Sequence, residues 1–135
     1  MSATPVRMNP ATLPDAGKVG YSQISIAEAS RLAFVSGQVA WRADGGAVPD
    51  TLAGQLSVVV ENLQSALGAI GAAPCDIAQM RIYMVDLQPE SLEIAMPMIH
   101  AFLDGTQPSL TGVGVAALAS PELLVEIEMV VQMSD

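Results

Sequence analysis

The chain has 135 residues, of which 51% are apolar and only 14% charged. That length and composition suit one domain with a large core and exclude a disordered body. Fourteen acidic residues against five basic ones give a formal net charge of −9, a surface that repels phosphate backbones, so neither nucleic acid nor an anionic membrane is expected as a partner.

Cys75 is the single cysteine, which excludes an intrachain disulfide. No apolar run reaches the ~18 residues of a membrane span, and the N-terminus lacks a signal-peptide core; the protein is read as cytoplasmic. So few charges on a small domain also imply that part of the surface is covered by copies of itself.

Residues 1–18 hold three prolines and no apolar periodicity, so an extended N-terminal arm is expected there and a single domain over 19–135. "GYSQISIAEAS" and "RLAFVSGQVAW" read as two short strands around a polar turn at Glu28–Arg31, and "RADGGAVPD" as a loop. From Asp50 to Gly71, Leu52, Leu56, Val59, Val60, Leu63, Leu67 and Ile70 recur at three- and four-residue spacing, which predicts a helix with one apolar face. Asp50 or Thr51 can cap its start, Gly71 suits the left-handed residue past its end, and Pro74 blocks continuation.

"AQMRIYMVDL" over 78–87 is a strand with Met80, Ile82 and Met84 on one side and Arg81, Tyr83 and Val85 on the other. A second helix is expected from about Ser91 to Leu103, beginning or bending at Pro97. "TGVGVAAL" and "LLVEIEMVVQM" are the last two strands. In the order β-β-α-β-α-β-β both helices cover one face of a single sheet. The strands are apolar on both sides, so the other face needs partners.

The last strand places Leu123, Val125, Ile127, Met129 and Val131 on one face and Leu124, Glu126, Glu128 and Val130 on the other. Two acids between apolar neighbours admit two readings. One is a solvated edge; the other is a carboxylate at a subunit seam, acting as a general base or orienting a water. The remaining reactive residues lack company. His100 has no His or Cys partner at metal-ligand spacing, Cys75 has no nearby His, and Ser36 lacks the elbow pattern of hydrolases. "GVG" at 112–114 has neither the Lys nor the helix of a phosphate loop. The eight methionines suit core and seam, and no metal or organic cofactor is expected.

"FVSGQVA" at 34–40, "ENLQSALGAIGA" at 61–72, "RIYMVDL" at 81–87 and "VGVAALASPELLVEIEMV" at 113–130 resemble the Rid family of reactive-intermediate imine/enamine deaminases, the YjgF-type proteins. The resemblance runs from about Tyr21 to Met133. It implies an α+β, chorismate-mutase-like fold: a mixed β-sheet with two helices packed on one face. Three copies would form a homotrimer with a central barrel and a small-molecule cleft between neighbouring subunits. In the deaminases of the family an Arg grips the substrate carboxylate, a Glu near the C-terminus positions the attacking water, and a Tyr and the "SGQ" turn complete the pocket.

Carried over by position, the water-orienting acid is Glu126, the pocket tyrosine Tyr21, the turn glycine Gly37, and the small residue beside the water Gly112. The family Arg falls on Leu110, and a helix-borne Asn of some members falls near Met96. An Arg–carboxylate fork contributes about 2–5 kcal/mol when one partner is removed, or about thirty- to several-thousand-fold in affinity. Leucine has no donor, so 2-iminoacid deamination of the usual kind is not expected unless Arg31, Arg42 or Arg81 reaches the cleft.

The expected function is a hydrolase acting on a C–N bond with an altered substrate range. The alternatives are a non-catalytic small-molecule-binding trimer and, disfavoured by the charge, an RNA-cleaving protein.

Overall fold

The computed structural model describes residues 4–28 and 31–133. Its six strands and two long helices run β1 (Val6–Met8), β2 (Ile24–Ile26), β3 (Leu32–Gln38), α1 (Leu52–Ala69), β4 (Ile77–Val85), α2 (Pro89–Leu103), β5 (Ser109–Val115) and β6 (Val125–Gln132). The main sheet has the order β3-β6-β4-β5, with β4 and β5 parallel and β6 antiparallel to both of its neighbours. Strands β3 and β4 are therefore parallel to one another, and each helix is the crossover of a β-α-β unit. This is an α+β mixed sheet with two helices on one face.

Helix α1 begins where Thr51 Oγ1 accepts the amide of Gly54 at 3.0 Å, the N-cap arrangement its sequence allows. Leu56, Val59, Leu63 and Leu67 of the expected apolar face are buried. They pack with Met80, Ile82 and Met84 of β4, Val125, Ile127, Met129 and Val131 of β6, and Ala95, Ile99 and Phe102 of α2. Gly71 is left-handed, with φ 68°.

Three features differ from the sequence reading. The strands do not form a single sheet: β2 pairs with β1, apart from the main sheet. Helix α2 starts at Pro89 rather than Ser91 and continues through Pro97. Pro97 is exposed, so the carbonyl that loses its partner faces water, and Pro89 sits in the first turn, where its missing N–H has no intrahelical use. Gln55, unremarked by periodicity, is fully buried. Its Nε2 donates to the carbonyls of Pro49 at 3.0 Å and Glu122 at 2.8 Å, and its Oε1 accepts the amide of Leu124 at 2.8 Å. One amide side chain thus ties the start of α1 to the entrance of β6.

Strands β1 and β2 pair as a small antiparallel ribbon. Arg7 fastens it, donating to the Ile77 carbonyl at 2.6 Å and to Ser25 Oγ at 2.8 Å, while partial burial lowers its pKa. The bend expected at Glu28–Arg31 includes positions outside the described residues. The sheet face away from the helices carries Leu32, Phe34, Arg81, Tyr83, Glu126, Glu128 and Val130, and Phe34 is 75% exposed.

Candidate functional site

Glu126 and Glu128 stand on that open face, across from Tyr83 and Arg81 of β4. The two acids are in different situations. Glu128 accepts a hydrogen bond from the Tyr83 hydroxyl and lies 3.7 Å from the Arg81 guanidinium. The bond to Glu128 raises the Tyr83 pKa, with desolvation adding to it, because a phenolate facing a carboxylate is disfavoured.

Glu126 has no hydrogen-bond or ion-pair partner among the described residues. Its carboxylate rests on the backbone of Gly37, in the segment of β3 where the pairing with β6 shifts register between Val35 and Gln38. A Cβ at Gly37 would sit 2.5 Å from Glu126 Cδ and 2.6 Å from Oε2. The "SGQ" segment and the first glutamate of "VEIEM" are one local unit: a bulged strand supplies the seat and a missing side chain makes room.

The other three matched positions lie elsewhere. Tyr21, Leu110 and Gly112 line a cavity of about 330 Å³ on the helix side of the sheet. Leu110 pairs with Met80 and Gly112 with Ile82, so both turn toward α2. Ile82 and Met84 form the cavity floor, Leu92 and Met96 of α2 one wall, and Val19 and Tyr21 approach from the N-terminal segment. Glu126 pairs with Tyr83, not with Ile82 or Met84, and so faces away from this cavity. Within one chain the candidate residues form two groups, Glu126 with Gly37 and Tyr21 with Leu110 and Gly112, on opposite sides of the sheet.

No arginine lines the cavity. Arg42 pairs with Glu61 at 2.6 Å, Arg81 is held near Glu128 on the open face, and Arg31 is exposed at the start of β3. Tyr21 supplies the one polar side-chain group of the lining. Met96 also reaches the cavity.

Several residues escaped the sequence reading. Leu92 and Leu87 border the cavity, but their spacing marks them only as helix and loop apolar residues. Leu87 lies over Gly114, whose absent Cβ would be 3.2 Å from Leu87 Cβ. His100 packs its ring against Gly20, which has φ 96°. Gly20 belongs to the segment that delivers Val19 and Tyr21. Among the described residues no group of His, Cys, Asp and Glu could hold a metal ion, and no helix is long and apolar enough to cross a membrane.

The family model described as endoribonuclease L-PSP matches residues 14–133. Among solved structures, YyfB of Yersinia pestis, described as a protein of unknown function of the conserved Rid protein family, is 34% identical. The match covers 97% of this chain and 100% of that one, with a TM-score of 0.90. Rv2704 of Mycobacterium tuberculosis, a member of the YjgF/YER057c/UK114 family, is 27% identical over 96% of this chain and 98% of its own, with a TM-score of 0.65. RidA of an Antarctic Psychrobacter is 22% identical over 98% and 100%, with a TM-score of 0.70, a likeness of fold. Comparison with curated proteins gave no match.

Proposed function

Since the chain belongs to the Rid family, the family described as endoribonuclease L-PSP, we propose that it works as a homotrimer whose inter-subunit clefts bind a small metabolite and hydrolyse a C–N bond in it. Glu126 of one copy faces the cavity of the next, with Tyr21, Leu110 and Gly112 lining the ligand side. The observation that carries this reading is the division of the matched residues: an unpartnered carboxylate on one sheet face and a ready cavity on the other. Neither half is a site alone, and a neighbouring copy joins them. The exposed Leu32 and Phe34 beside Val130 are a surface for that neighbour.

The chemistry needs no metal or organic cofactor. Water adds to the carbon of a C=N bond while Glu126 takes its proton; the proton passes to nitrogen, and the tetrahedral intermediate collapses to a carbonyl compound and ammonia. Leu110 leaves the cleft without the family's carboxylate anchor and so shifts its substrate range. The net charge of −9 weighs against RNA as the substrate.

Purified protein incubated with a panel of imines and enamines tests the reading. Ammonia release that falls about 10²–10⁴-fold in Glu126→Gln is the expected result. If every compound is left unchanged while native mass spectrometry finds a retained small molecule on the trimer, the cleft is a binding module and not an enzyme.

A further inference from the structure

The cavity's lining narrows what the cleft takes. We propose that its ligand is a small uncharged C–N compound carrying a branched-aliphatic or aromatic group, namely an imine or enamine of an apolar aldehyde or ketone, and that Leu110 and Gly112 set this preference. The inference rests on the cleft reading above and adds the substrate class.

Three observations lead to it. First, Leu110 stands among Ile82, Met84, Leu92 and Met96, and Tyr21 is the one lining residue whose side chain carries a hydrogen-bonding group. A carboxylate entering there loses its hydration with no cation to replace it, which disfavours charged ligands strongly. Within one chain none of the described cations lines the cavity: Arg42 and Arg81 are beside Glu61 and Glu128, Arg7 is bonded to main-chain carbonyls, and Lys18 and Arg31 are exposed. His100 packs on Gly20 outside the lining.

Second, the 330 Å³ cavity equals about eleven water volumes of ~30 Å³, enough for a ligand of about ten non-hydrogen atoms. A two- or three-carbon acid would leave most of this apolar wall unfilled.

Third, room is made at Gly112. A Cβ there would meet nothing within 4 Å, and its φ needs no glycine. The missing side chain therefore serves the hollow and not the backbone. Strand β5 is the last strand of the main sheet, and beyond the bridge of Ser109 to Ser22 main-chain N–H and C=O groups along its outer edge can meet the ligand's neutral nitrogen or its carbonyl product.

Titration calorimetry with shape-matched probe pairs that differ in charge tests this: benzamide against benzoate, and isobutyramide against isobutyrate. Wild type is expected to favour each amide by at least about tenfold. Gly112→Val should fill the cavity and weaken both amides about tenfold or more at unchanged melting temperature, and Leu110→Arg should reverse the order in favour of the acids.

Carboxylates binding wild type as tightly as amides would overturn the inference while leaving the cleft reading intact. So would amide binding that Gly112→Val does not touch, since the ligand would then sit elsewhere. If wild type binds no probe but Leu110→Arg binds the acids, the apolar class fails and the cleft survives. If no probe binds any folded variant, both fail.

Discussion

The carboxylate of Glu126 occupies the space that a side chain on Gly37 would need. The two residues belong to neighbouring strands, and an added Cβ at Gly37 would sit 2.5 Å from Glu126 Cδ and 2.7 Å from Cγ. Gly37 is not left-handed: the positive-φ glycines are Gly20, Gly45, Gly71 and Gly105. Its smallness serves the acid and not the backbone.

Gly37→Ala is therefore expected to move Glu126 while sparing the fold. The nearest atoms belong to the end of a flexible side chain, which can swing away at a cost of about 1 kcal/mol or less. A crystal structure should show the carboxylate displaced, and C–N hydrolysis should fall while the melting temperature stays within a few degrees. A substantial loss of stability with the carboxylate unmoved would contradict this account.

Gln55→Leu should be costly despite its similar volume. It removes the partners of the Pro49 and Glu122 carbonyls and the Leu124 amide. Buried groups left unpaired cost about 1–3 kcal/mol each, so a loss of at least ~2 kcal/mol is expected in urea denaturation. Because Leu124 leads into β6, substrate turnover should fall as well.

Tyr83 should ionise above the ordinary tyrosine value, as its bond to Glu128 raises its pKa. A folded-state pKa above the unfolded one means that the contribution to stability is complete below the unfolded value, about pH 10. It is lost as pH rises through the folded value. An ultraviolet titration should find a late-ionising phenol that disappears in Tyr83→Phe and titrates earlier in Glu128→Ala. Equal titration in the wild type and Glu128→Ala would remove Glu128 as the cause.

Phe34 tests the assembly. It is 75% exposed in the single chain, and burying such a side chain stabilises by about 1.5–3 kcal/mol. Sedimentation should give the mass of three chains for wild type and a smaller species for Phe34→Asp, with circular dichroism unchanged. A wild-type protein that sediments as one chain would end the shared-cleft reading.

How far the amino-acid order alone reached differs between fold and site. Helix α1, its Thr51 cap and its left-handed Gly71 follow from spacing and local chemistry, and all three appear where expected. Pro97 was an expected start or bend because proline removes a helical hydrogen bond, yet α2 runs through it on its wet side. Arg7 escaped notice because its acceptors are main-chain carbonyls some seventy positions away, with no residue type to mark them. Gln55 escaped for the same reason, since a polar residue on an apolar helix face is legible only once its partners are known.

Sequence by itself determined the kinds of element and the apolar stripes, because the repeats of helix and strand are properties of neighbouring residues. It also marked, through resemblance, the five candidate site positions. Tertiary structure decided the strand order β3-β6-β4-β5, and with it which side of the sheet each of those positions faces. Leu110 follows Met80 toward the helices, while Glu126 follows Tyr83 away from them. That division depends on pairing between distant strands, where a shift of one residue would turn every side chain to the opposite face.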